Sequence, residues 1–248
     1  MPKKKTKKSS GDIVINLDNF AIPIAIVVAG LLIAVGIFVS NKTKSTDTNT
    51  KGETVAETES GEFPSATTTI DDDPYIGDRS KVKVAVVEFS DFQCGYCGRH
   101  AQQVFPVIKE KYIDTGKVIY VFRDFQFFEG LSTDAGMGGQ CLYELTKSSD
   151  KFAEYHTQIF GLESKDDVFA LAKKLGINES SFKKCMDEER YADELDKDMA
   201  DGQAAGISGT PGFVVGVLKE DGTVEGKLIK GAYPIESFDQ IIEEMLAK

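Results

Sequence analysis

Residues 89–97 read Phe89-Ser90-Asp91-Phe92-Gln93-Cys94-Gly95-Tyr96-Cys97, and the stretches on either side decide what they are. Upstream, Val82 to Phe89 is an apolar run, the pattern of a strand entering the middle of a sheet. Downstream, Val104, Val107, Ile108 and Tyr112 recur at helical spacing, which predicts a helix from Cys94 to about Asp114, kinked at Pro106. The two thiols therefore open a helix. Unpaired N–H groups and a partial positive charge at that end favour a thiolate over a thiol. Cys97, one turn along, is close enough to attack a mixed disulfide formed by Cys94. The stretch predicts thiol redox chemistry.

Further along, Lys117 to Phe122 reads as a second strand, which makes a right-handed β-α-β unit with the first. From about Ser132 to Ala205 the apolar spacing is helical, with breaks near Ser148-Ser149, Gly161 and Gly176-Ile177-Asn178. Gly136, Gly138 and Gly139 lack the preceding strand and following lysine of a phosphate loop, so close helix packing is the expectation. Phe213 to Leu218 and Val224 to Ile229 flank the turn Glu220-Asp221-Gly222-Thr223 as a hairpin. Pro234 then precedes an amphipathic helix, Ile235 to Leu246. The element order is β-α-β, a helical block, and β-β-α: an α/β fold.

The chain has 248 residues, 41% hydrophobic and 28% charged, with a formal net charge of −11. Five lysines nonetheless fall in the first ten residues. An acidic body without a basic stripe argues against nucleic acid as a partner. Phe20 to Val39 carries no charge over twenty residues, about 30 Å of helix and the thickness of a bilayer core. Because the lysines precede it, residues 1–19 are expected in the cytoplasm, 20–40 as a transmembrane signal anchor, and the remainder outside the membrane. A cleaved signal peptide is disfavoured, since the run is long and no A-x-A-like site follows. Residues 41–73, rich in Thr, Ser, Glu, Asp and Lys, are expected to be a disordered linker. Residues 74–248 are then the folded domain, with a helical insertion at about 131–206.

The cysteine pair after the first strand, with Gly209-Thr210-Pro211 before the third, is similar to the DsbA-like branch of the thioredoxin fold, here as a membrane-anchored member. The resemblance runs from about Pro74 to Lys248 and includes VVEFSDFQCGYC, KVIYVFRDF, KFAEYHTQIF, Arg190-Tyr191-Ala192-Asp193 and GTPGFVV. It implies that Cys94 is the exposed nucleophile and Cys97 the buried resolving thiol. By the same resemblance, Glu88 is a buried acid that moves a proton to or from Cys97. Pro211 matches a cis-proline facing the cysteines, leaving the Thr210 backbone to pair with an extended substrate. Gly95, Tyr96, Thr210 and Pro211 are thus the implied substrate-binding residues. Cys141 and Cys185 match a second pair that many family members carry, and a structural disulfide suits a compartment outside the cytoplasm.

The implied activity is that of a protein thiol:disulfide oxidoreductase introducing disulfides into exported proteins. The implied partners are those thiol-bearing proteins and a membrane redox protein that reoxidises the pair. The ectodomain is expected to be monomeric, and no cofactor or metal is expected. Gly95-Tyr96 and Thr210 are also shared with disulfide isomerases, so isomerase or reductase activity remains the main alternative, and a metal-binding or non-catalytic role a lesser one. A zinc site with all four cysteines would need a second close pair, which the spacing does not offer. Cys94, Cys97 and His100 form a C-x2-C-x2-H set, but His100 is expected to be an exposed helix residue. His156, beside Tyr155, is expected to be a packed helix position.

Overall fold

The computed structural model describes residues 63–248. A six-stranded sheet runs in the order β1 (Ser65–Thr69), β6 (Thr223–Lys230), β5 (Gly212–Leu218), β3 (Val84–Ser90), β4 (Val118–Asp124) and β2 (Tyr75–Ile76). Inside it, β3 pairs in parallel with β4. Between them come α1 (Gly95–Gln103), the short α2 (Phe105–Ile108) and a π-helical turn (Lys109–Ile113). The break between α1 and α2 falls where Pro106 lacks a backbone N–H, as expected of a proline inside a helical pattern. On its other side β3 pairs antiparallel with β5 (Gly212–Leu218), which turns back into β6 (Thr223–Lys230) before the last helix, α8 (Ile235–Leu246).

Every residue of β3 is buried, which is why it reads as an apolar run. The period of two still divides it between the two faces. Val84 and Val86 join the core that holds Phe105, Tyr112, Phe152 and Phe238. Ala85, Val87 and Phe89 join the opposite core with Ile119, Phe125 and Val214. Glu88 has the parity of Val84 and Val86, so a carboxyl is carried into the face covered by helices.

The helical block between β4 and β5 consists of α3 (Leu131–Thr146), α4 (Ser149–Gln158), α5 (Lys165–Lys174), α6 (Glu179–Asp187) and α7 (Ala192–Ala204). Ser148, Ser164 and Asn178 cap three of these helices, each accepting a backbone N–H three residues on. The α3 glycines serve close packing: a Cβ on Gly138 would lie 2.7 Å from both the Tyr155 hydroxyl and Val168.

The expected linker is too long at its C-terminal end. Residues 65–69 form β1, an edge strand antiparallel to β6, with Thr68 opposite Val224. Tyr75–Ile76 form β2 beside β4. β-Branched threonines suit a half-buried edge, although their polarity resembles that of a spacer. The aspartates that follow are held by a buried arginine. Arg123 donates to Asp198 (2.6 Å), Asp201 (2.9 Å) and the Thr69 carbonyl (3.1 Å), and pairs with Asp73 at 3.2 Å. Lys197 pairs with Asp71. No local pattern exposes these partners, which come from β4 and α7.

Among the described residues no helix is long and apolar enough to cross a membrane. The expected cytoplasmic tail and anchor, residues 1–40, and the linker up to residue 62 lie outside the described residues.

Candidate active site

β3 ends at Ser90, and a single turn leads to the cysteines. The Cys94 N–H donates to the Asp91 carbonyl at 3.0 Å. Asp91 itself is buried and its carboxylate gathers three donors. Oδ1 accepts the Gln93 N–H (2.7 Å) and the Ser132 hydroxyl (2.6 Å), and Oδ2 accepts the Phe128 N–H (2.8 Å). One side chain thus ties the pre-cysteine turn to the β4–α3 loop and to the first turn of α3. Sequence reasoning passed over Asp91, because a short polar residue before a helix reads as an ordinary turn.

Cys94 occupies the N-cap of α1 in an extended conformation. Both thiols are free, and they differ sharply. Cys94 is 8% exposed and Cys97 fully buried. The hydrogen bond from Cys97 holds the Cys94 thiol down at about 5 against the opposing effect of burial, with Thr210 and the N–H groups of Cys97 and Tyr96 contributing. Burial drives Cys97 the other way, well above an ordinary thiol, and the bond to Cys94 and the Glu88 charge add to this. A helix terminus favours a thiolate at Cys94, and the interior keeps the proton on Cys97.

Thr210 and Pro211 lie across from the pair. Their peptide bond is cis, and the Cys94 thiol donates to the Thr210 carbonyl at 3.4 Å. Gly95 is exposed with open space where a Cβ would sit, and Tyr96 is 62% exposed with the Arg99 guanidinium 4.9 Å over its ring. The residues expected to meet substrate therefore surround Cys94 from both chain segments. Cys141 and Cys185 are far along in sequence and belong to a different place: they form a disulfide joining α3 to α6.

Glu88 is fully buried. Burial alone would push its carboxyl up, but His156, His100 and the Tyr120 hydroxyl together outweigh this and hold it at about 2. Tyr120 donates to Glu88 Oε2 at 2.7 Å, so its oxygen accepts from His100 Nε2 at 3.0 Å, which fixes the His100 tautomer. His156 Nε2 lies 3.3 Å from the same Glu88 oxygen. The expectation of an exposed His100 is overturned. It is fully buried, packed against Phe213 and Phe238, and burial holds it down at about 4, so the ring is neutral. The signal was present: His100 and Ala101 follow Cys97 by three and four residues, on the buried face of α1. His156 is packed, as expected of its helix position. Its approach to Glu88 is a tertiary fact, since α4 belongs to the helical block.

A family model described as thioredoxin matches residues 69–244. The chain belongs to the thioredoxin family. Its helical insertion and its cysteine pair are those of a DsbA-like member. A Bacillus anthracis protein named "Probable disulfide bond formation protein D" is 30% identical over 143 residues, covering 53% of this chain and 64% of that protein. The crystal structure of oxidised BdbD from Bacillus subtilis superposes with a TM-score of 0.64 at 25% identity, covering 76% of this chain and all of that one. Wolbachia pipientis alpha-DsbA1 shares the fold, with a TM-score of 0.60 at 21% identity over 73% of this chain and 94% of that one. The chain spans between 60% and 66% of the length of the first curated relatives it matches.

Elsewhere, Asp73, Glu194 and Asp198 bring carboxylate oxygens within 4.8 Å of one another, as do Asp71, Asp72 and Glu194. Arg123 pairs with Asp73, Asp198 and Asp71, so this is a charge cluster organised on a cation the chain supplies itself.

Proposed function

We propose that this chain is an extracytoplasmic thiol:disulfide oxidoreductase that introduces disulfides into exported proteins by exchange at Cys94–Cys97. The observation that carries the reading is the opposed chemistry of the two thiols: Cys94 held low at the mouth of α1, Cys97 buried and pushed up. A substrate thiolate attacks Cys94 Sγ of the disulfide form. The Cys94–Cys97 bond breaks, and its electron pair leaves on Cys97 Sγ, which takes a proton. A second substrate thiolate then attacks the substrate sulfur of the mixed disulfide, and Cys94 departs as a stabilised thiolate. The substrate is oxidised and the cysteine pair reduced. Low basicity in the leaving Cys94 favours this direction. Thr210, Pro211, Gly95 and Tyr96 border the sulfur and form the surface on which an extended substrate would lie.

Residues 20–40 act in this reading as an uncleaved anchor, with residues 1–19 cytoplasmic and a linker from residue 41 to about residue 62 carrying a monomeric domain. A membrane redox protein would return the pair to the disulfide. The test is a Cys97→Ala variant, which should accumulate mixed disulfides through Cys94; trapping confined to other cysteines would remove the site assignment. The reduction potential of the pair then sets the direction. A value near about −120 mV marks an oxidant and one near about −270 mV a reductant, which would move the function to the isomerase or reductase alternative.

A further inference from the structure

The Cys97 step needs a proton inside the fold, and Glu88 alone is poorly suited to supply it, because its surroundings hold it ionised. The polar groups around Glu88 are unusual in what they leave open. Glu88 Oε1, His100 Nδ1 and His156 Nδ1 have no hydrogen-bond partner among the described residues, and His156 Nε2 has only the Glu88 Oε2 contact at 3.3 Å, although all three side chains are buried. A purely structural polar cluster would satisfy these atoms, since each unmade bond costs about 1–3 kcal/mol. The Tyr120 hydroxyl of β4 donates to Glu88 and accepts from His100 of α1, and one turn before His100 on the same buried helix face lies Cys97, whose thiol the Glu88 charge helps to push up. Rings of Phe92, Phe105, Phe122 and Phe160 pack around the imidazole.

Building on the exchange reading above, we propose that the His156–Glu88 pair is the proton store for Cys97. One proton, held between His156 Nε2 and Glu88 Oε2, passes to Cys97 Sγ as that sulfur leaves the disulfide, and returns when the disulfide re-forms. The step balances. The Cys94–Cys97 bond breaks as the Cys94–substrate bond forms, Cys97 gains the electron pair and the proton, and the pair is left with a neutral imidazole and a carboxylate. His100 and Tyr120 are positioning residues in this scheme. The neutral His100 ring orients the Tyr120 hydroxyl, whose single proton is committed to Glu88 and keeps its carboxylate in register. The helical block thereby supplies a group that the thioredoxin core lacks.

The test measures single-turnover oxidation of a synthetic dithiol peptide by the full-length oxidised protein, in detergent, between about pH 5 and pH 10. The rate should rise with peptide thiolate and fall again once the store has lost its proton, and the alkaline midpoint should coincide with titration of the His156 ring followed by 15N NMR. His156→Gln should displace the alkaline midpoint, because Glu88 then loses the group that does most to hold it ionised and burial raises it; the Glu88→Gln/His156→Gln double variant should lower the rate at neutral pH by about ten-fold or more and abolish the limb, so that the profile follows peptide ionisation alone. His156→Phe, which suits the aromatic surroundings, should displace the midpoint as His156→Gln does and guards against misfolding of that variant. A uniform loss with the wild-type profile shape would mean a structural role and overturn the proposal. So would a wild-type rate that climbs with no alkaline limb, or a limb whose midpoint is not that of His156. Failure of the wild type to oxidise the peptide at any pH would instead refute the exchange reading, and this inference with it.

Discussion

The Cys141–Cys185 disulfide should contribute about 4 kcal/mol to the folded domain, through its effect on the unfolded chain. It closes a loop with a sequence separation of 44, encompassing α4 and α5. Restricting a loop of that size lowers the entropy of the unfolded ensemble by about 13 cal/mol/K, or about 4 kcal/mol at 25 °C in the chain-entropy treatment. Reductant is the wrong perturbation, because it would open Cys94–Cys97 as well. The comparison is between wild type and the Cys141→Ala/Cys185→Ala variant of residues 60–248, both with the active-site pair oxidised. Guanidinium unfolding followed by circular dichroism should show the midpoint falling by about 1 M. Both cysteines of this pair are fully buried, so in the folded protein a mild reductant should open Cys94–Cys97 first. A midpoint shift below about 0.25 M at unchanged slope would refute the argument, and would mean that the contacts of α3 with α6 already restrict the unfolded chain.

Asp91→Ala should destabilise the domain by about 2–3 kcal/mol, because it leaves the buried Ser132 hydroxyl and two part-buried backbone N–H groups without their acceptor; a loss under about 1 kcal/mol in denaturant titration would mean the loop re-satisfies them. Stability should also fall as pH rises from about 4 to 7. Burial, followed by the Asp198 charge, raises the Asp124 carboxyl from 3.8 to about 7, so over that window the folded state binds a proton the unfolded state has released. The signature is a melting temperature higher near pH 5 than near pH 8, and Asp124→Asn should flatten the difference. Glu88 works in the opposite sense: its depressed pKa gives stability above about 4.5 that is lost as pH falls towards 2.

The sequence by itself determined the elements of the core and the identity of the reactive pair. Apolar runs, helical spacing and the turn at Glu220–Thr223 are local signals, and the final helix, Ile235–Leu246, has the bounds its periodicity predicts. Cys94 and Cys97 announce themselves because their chemistry depends on being adjacent. Tertiary structure decided what depends on distant partners. β1 hides in a threonine-rich stretch that becomes a strand only because β6 offers an edge, and the aspartates after it are ordered by Arg123 from the middle of the sheet. The same holds beneath the cysteines. Glu88 can be placed by the parity of β3, but the imidazole of His156 reaches it only because the helical block folds back over that face. A proton needs a contact of about 3 Å, and in this chain the two ends of that contact are separated by a strand, three helices and more than sixty residues of sequence.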